Sequence, residues 1–232
     1  MSRVAILQPN YIPWKGVFDM IQQVDTFVFL DDAQYTDRDW RNRNKIKKAD
    51  GATQWLSVPV NGGRGLRICD VTIDTTQSWQ RKHVESLRHS YAKTPFFKTY
   101  APRFAELVEA PYASLAELDI ALTIQVCDWL GLKTTFRKSS EMIAPGVKDD
   151  RLIEILSLVG GSHYLSGPAA RDYIRPERLA EKKIGLSWMN YGGYPEYPQI
   201  SSPFEHGVTI LDLLFAVGPA APDYIWGKHR QP

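Results

Sequence analysis

Two short apolar runs near the start of the chain, Val4–Leu7 and Thr26–Leu30, constrain the fold more than anything else in it. Unbroken apolar runs of this length suit strands covered on both faces. Between them Pro9 and Pro13 break the chain, and Val17, Phe18, Ile21 and Val24 then recur at helical spacing. Strand, loop, helix, strand reads as a right-handed crossover between parallel strands, so both strand ends open on the same edge of the sheet. Ligands of open α/β sheets bind at that carboxyl edge. Here the edge would carry Gln8, Asn10, Tyr11 and Trp14 from the first loop, and Asp31, Asp32, Arg41, Asn42, Arg43 and Asn44 from the second.

Further along, Gln54–Val60 and Ile68–Asp74 read as the two strands of an inserted hairpin, about 53–75, turned by Asn61-Gly62-Gly63-Arg64-Gly65. Glycines beside Arg64 and Arg67 suit either a flexible turn or a wrap for an anion, and the turn is the simpler reading. A helical segment follows over about 78–131. Ser78 caps its first helix, Phe96–Glu109 form the second, and Ser114 starts the third, striped by Leu115, Leu118, Leu122, Val126 and Leu130 and ended by Gly131. Strand signals return at Thr134–Phe136, His163–Leu165 and Gly185–Met189, with a helix over Asp150–Gly160 between the first two. About five strands therefore suit a mostly parallel, Rossmann-like sheet flanked by helices. The whole of residues 1–232 reads as a single α/β domain, and the Pro- and Ala-rich tail after Gly218 reads as packing along the surface.

Composition narrows the partners. Hydrophobic residues at 44% supply a core, and a net charge of +2 gives no ground for nucleic acid or a membrane surface. Seven Trp and eleven Tyr are a rich supply of rings that stack on sugars or bases, beside their ordinary use in a core. Cys69 and Cys127 have no metal-site or disulfide spacing. The apolar stretch Val208–Val217 is too short for a membrane span and contains Asp212, and no signal peptide precedes the first strand. A soluble, cytoplasmic protein without membrane insertion is the expectation.

The candidates for chemistry follow from residue type. Asp37–Lys45 alternates charge and carries Trp40 and two Asn; Arg gives bidentate contacts to phosphate or carboxylate, and Asn bridges sugar hydroxyls. An extended backbone would put Arg41 and Arg43 on one side and Asn42 and Asn44 on the other. Asp31 and Asp32, adjacent at a strand end, would point to opposite faces, one holding Arg41 or Arg43 and the other accepting a proton or a sugar hydroxyl. His83 lies on a helix after Trp79, with Lys82 beside it, and is the side chain whose ordinary pKa suits proton transfer near neutrality. A packed structural histidine is the plainer alternative. Tyr164, Ser166 and Gly167 stand at a strand-to-helix turn, where Ser166 would cap and free N–H groups would meet an anion. No GxSxG, P-loop or GxGxxG is present.

QPNYIPWKGVF, DDAQYTDRDWRNRNKI, SWQRKH, YLSGPAARDY and ILDLLF together give the chain a resemblance to the WbqC-like protein family. The resemblance implies a place in O-antigen or other surface-polysaccharide pathways. Taken with the anion- and sugar-suited loop pair, that association points to an enzyme of sugar modification, a group transferase that moves, for instance, an acyl or aminoacyl group onto a nucleotide-linked amino sugar. The donor would be nucleotide-linked or a thioester, which brings in an acyl or peptidyl carrier protein as a partner. Nucleotidyl transfer is an alternative on topology, although Trp14-Lys15-Gly16-Val17 stands where the HxGH histidines belong. A non-catalytic scaffold that binds sugar or nucleotide is the third reading.

Overall fold

A computed structural model describes residues 2–227. The chain opens with β1 (Arg3–Leu7), α1 (Lys15–Gln22) and β2 (Thr26–Phe29). Four small strands come next: β3 (Arg43–Lys47), β4 (Thr53–Ser57), β5 (Val60–Asn61) and β6 (Thr72–Ile73). The helices α2 (Trp79–Tyr91), α3 (Phe97–Glu109) and α4 (Leu115–Trp129) lead to β7 (Thr135–Lys138). The chain ends through α5 (Asp149–Leu158), β8 (His163–Ser166), α6 (Pro176–Glu181), β9 (Gly185–Trp188) and α7 (Ile210–Val217).

The main sheet runs β7-β2-β1-β8-β9 and every pairing in it is parallel. It is a Rossmann-like α/β fold. The pleat sends alternate side chains to opposite faces. Ala5, Phe27, Phe29 and Leu165 meet α1 to α4 and α7 on one face, while Val4, Ile6, Val28 and Tyr164 meet α5 and α6 on the other. Strand order reverses between β1 and β8, so the crevice at the end of β1 is the switch point where such sheets hold ligands.

The inserted region departs from the reading as one hairpin. Arg43–Lys47, taken for part of a loop, is a strand antiparallel to Thr53–Ser57, and only Val60–Asn61 pairs with Thr72–Ile73. Two-residue alternation was present but disguised. Asn44 and Ile46 are buried, while Arg43 and Lys45 flatten over the Trp55 ring at 4.2 and 5.2 Å. Ile68–Asp70 is a 3-10 turn rather than strand, because Ile68 and Cys69 donate their N–H groups to Ala33 and Asp31 carbonyls in the loop after β2. In the glycine turn Gly63, at φ +121°, lies against the Tyr35 ring, and Arg67 pairs with Asp70 at 2.6 Å.

Caps divide. Ser114 accepts the Glu117 N–H, but Ser78 makes no capping bond. The tail is more than a surface strap, since Ala221 and Ile225 are fully buried. Among the described residues no helix is long and apolar enough to cross a membrane.

ILDLLF owes its acidic residue to a buried network. Asp212 accepts the hydroxyls of Tyr91 (2.8 Å) and Tyr197 (2.7 Å) and the amide of Gln199 (2.9 Å), and Tyr91 in turn accepts the Lys47 N–H. α7 is thereby tied to α2 and β3. Burial raises the Asp212 pKa, and the three donors oppose that rise. Asp212→Ala leaves those donors unsatisfied and should cost about 2–4 kcal/mol. Urea unfolding checks this; an unchanged midpoint would contradict the assignment.

Candidate functional site

A cleft of ≈ 420 Å³ opens at the carboxyl end of β1, within the usual size of a small-molecule site. Leu7, Asn10, Trp14, Trp40, Arg41 and Tyr191 are among the residues that line it. Its floor is the loop Gln8–Trp14, which turns sharply: Ile12 has φ +38°, a costly conformation for a β-branched residue. Asn44 holds that turn. From the buried face of β3 its amide donates to the carbonyls of Tyr11 (3.1 Å) and Ile12 (2.8 Å). The Tyr11 N–H donates to Trp40 O at 2.9 Å, so the two loops are stitched together.

On this floor Arg41 donates to Asn10 Oδ1 and lies 3.7 Å from Asp39. Trp14 meets Tyr191 and Tyr194 edge-on, at 5.3 and 5.8 Å between ring centroids. A side chain at Gly16 would collide with the Trp14 indole, which explains glycine in the PWKG sequence. Trp40 stays 44% exposed at the rim and contacts Trp55. The cleft thus combines aromatic walls with a guanidinium and an amide.

The expected grouping holds only in part. Asn10, Trp14 and Arg41 do come together. Arg43 does not join them, because it donates to Arg38 O and stacks on Trp55. Residues 39–42 form a turn rather than extended chain, so the expected side-by-side Arg41 and Arg43 are separated. Asn42 donates to Val58 O and Asn44 to the loop, so both amides serve the backbone. Asp31 and Asp32 hold neither arginine. Ser139 donates to both, Ser140 donates to Asp31 through its N–H and hydroxyl, and Arg151 pairs with Asp32. The two carboxylates fasten β2 to the segment after β7 instead of facing opposite ways.

Tyr164 and Ser166 belong to β8 and turn to the α5 face, where the Ser166 hydroxyl donates to Tyr164 at 3.3 Å. Ser166 is the last strand residue, and the short 3-10 helix Pro168–Asp172 that follows starts after Gly167 without a side-chain cap, so Ser166 does not cap it. Gly167 stays near the cleft, since a Cβ on it would lie 3.9 Å from the Tyr191 hydroxyl. Lys82 is exposed.

His83 is buried directly behind the cleft floor. The Tyr11 hydroxyl lies 2.7 Å from Nδ1, and Nε2 lies 3.2 Å from the Ser57 carbonyl. A carbonyl only accepts, so Nε2 carries the proton and the Tyr11 hydroxyl donates to Nδ1. Burial lowers the His83 pKa to about 4, opposed by the Ser57 hydrogen bond. The ring is therefore neutral near pH 7, and both nitrogens have partners.

Tyr191, which lines the cleft, and the buried acid Asp119 were both missed from sequence. Tyr191 follows the last strand in a stretch with no periodic signal. Asp119, on α4, is fully buried, and burial raises its pKa well above the carboxylate range while Arg41 opposes the rise. A signal for it existed: Asp119 stands four residues after Leu115 and three before Leu122, inside the apolar stripe. A wider depression of ≈ 740 Å³ lies along the outer strand β7, beside Arg137, Glu141 and the exposed Ile143. The smaller cleft lies at the switch point of the sheet and gathers Asn10, Trp14, Arg41 and Tyr191, which makes it the candidate site.

Fold and site together define a Rossmann-like α/β protein with an aromatic, arginine-bearing cleft at its switch point. The chain belongs to the WbqC-like protein family, whose profile matches residues 8–224. It is 40% identical over 228 residues to an uncharacterized protein, Rv1507c, of Mycobacterium tuberculosis (strain ATCC 25618 / H37Rv), covering 97% of this chain and 98% of that one. No solved structure matches.

His83 makes stability depend on pH. Its folded pKa lies below the unfolded value of 6.5, so the native state binds fewer protons. The contribution is complete above that value and is lost as pH falls toward about 4, by roughly 3 kcal/mol at 1.36 kcal/mol per pKa unit. The stability difference between wild type and His83→Gln should shrink over that interval. Paired urea titrations at pH 7 and pH 4 measure it; a difference independent of pH would contradict the burial argument.

Proposed function

We propose that this protein is an enzyme of surface-polysaccharide sugar modification of the O-antigen type, transferring an acyl or aminoacyl group to a nucleotide-linked amino sugar. The observation that carries the reading is the set Arg41, Asn10, Trp14, Trp40 and Tyr191 around one cleft. Arg suits a diphosphate, Asn a sugar hydroxyl, and the rings a base or sugar face. In this reading the acyl group comes from a thioester or nucleotide-linked donor, and a carrier protein is the partner that would present a thioester. Nucleotidyl transfer draws less support. Lys15, in the position of the missing HxGH signature, sends its ammonium to Pro195 O and toward the rings of Tyr194, Tyr197 and Phe204.

His83 enters this proposal as the group that orients Tyr11, because its Nδ1 already accepts a hydrogen bond from the Tyr11 hydroxyl. The same observation favours a second reading, a binding protein without turnover. Titration calorimetry with a UDP-linked amino sugar, followed by a transfer assay with a thioester donor, separates them. Arg41→Ala should weaken binding about ten-fold to a hundred-fold and flatten its salt dependence. Under the enzyme reading His83→Gln lowers kcat while the Kd stays within a few-fold. Binding with no turnover by wild type would establish the second reading, and no binding would sink both.

A further inference from the structure

Among the described residues, which include all seven tryptophans, only Trp40 and Trp55 are exposed, and they touch. Their ring centroids lie 5.5 Å apart with the planes inclined by 40°. Trp40 lines the cleft, so the pair carries the aromatic wall out over the cleft mouth. Trp55 is not placed there by the core. Leu56 and Ile46 fill the buried face of the β3–β4 hairpin, and alternation leaves Trp55 on the outer face.

Two cations frame this aromatic surface. The Arg43 guanidinium lies 4.2 Å from the Trp55 ring centroid, and the ammonium of Lys45, the register partner of Trp55, lies 5.2 Å away. Neither cation meets a carboxylate within ion-pair distance among the described residues. The residue after Trp40, Arg41, turns into the cleft and donates to Asn10. The order from the cleft outward is thus a guanidinium, then two indoles beside further positive charge. A nucleotide has the matching order, with phosphate and planar base separated by one ribose. Every base has a π face, so stacking on indoles serves any of them.

We propose that Trp40 and Trp55 form a stacking subsite at the mouth of the cleft, which takes the base of a nucleotide whose phosphates stand against Arg41. The inference rests on the reading of the cleft as a nucleotide-linked amino-sugar site and names the part of the protein that would hold the nucleoside end. Arg43, which does not reach into the cleft, acts here by backing the Trp55 ring and adding positive charge beside the phosphates.

The test is calorimetric binding of UDP and UDP-glucosamine to the full chain, with tryptophan fluorescence read in parallel. Trp55→Leu keeps an apolar cover on the hairpin without a stacking ring. It should weaken both probes about five-fold to a hundred-fold, the range for losing one base–aromatic stack. Trp55→Phe should recover most of that affinity. Trp55→Met replaces the leucine variant if melting curves show the latter unfolded. Unchanged affinities in Trp55→Leu, or equal losses in the leucine and phenylalanine variants, overturn the proposal. So does a loss confined to UDP-glucosamine, which would put the sugar ring rather than the base on the indoles. UDP-glucosamine binding that ignores Trp55 but needs Arg41 removes the subsite and leaves the cleft reading intact. Trp55-dependent binding of UDP with none of UDP-glucosamine keeps the subsite and removes the amino-sugar reading. No binding of either probe overturns both.

Discussion

The hold of Asn44 on the Tyr11 and Ile12 carbonyls is the interaction on which the rest of the site depends. A β-branched residue in the left-handed region stays there only when its surroundings over-determine it. Here the surroundings are a small hairpin far along the chain from the loop it grips. Releasing that grip would let Asn10 drift from Arg41 and Trp14 from the cleft wall. It would also move Tyr11 from His83. The inserted hairpin is therefore the device that positions a loop of the Rossmann-like sheet, and its outer face presents Trp55 beside the rim residue Trp40.

Charge is arranged differently in two regions. At the end of β2, Asp31 and Asp32 are fully met by Ser139, Ser140 and Arg151, as structural carboxylates should be. Behind the β1 loop, Asp119 is buried without a hydrogen bond while polar atoms of Gln8, Asn42 and Arg41 are left open. Satisfied acids fasten the scaffold and unsatisfied ones mark a place where the fold gives up stability.

The centre of the parallel sheet was legible because β1 and β2 are apolar runs joined by a helix of 3.6-residue period, whereas β7, β8 and β9 were read from shorter and more mixed signals. β3 was not, because the residue it buries first is Asn44, whose polarity hides the alternation. Asn10, Trp14 and Arg41 could be grouped from strand-end logic alone. The fate of Arg43 could not, since stacking on Trp55 depends on a hairpin register that the chain does not announce. His83 stood out as a titratable residue in a long motif, but its partners, Tyr11 and the Ser57 carbonyl, come from segments remote in sequence. Asp119 carried a readable anomaly, an acid within an apolar helical stripe. Tyr191 carried none.

The central claim is that the crevice at the end of β1, roofed by the 39–44 segment, receives an anionic sugar ligand. Hydrogen exchange with and without saturating UDP-glucosamine tests it most directly. The account predicts added protection in Gln8–Trp14 and Asp39–Asn44, with the Asp31–Asp32 and Ser139–Ser140 amides unchanged. Protection confined to the β7 side of the sheet, or none at a ligand concentration well above Kd, would contradict it.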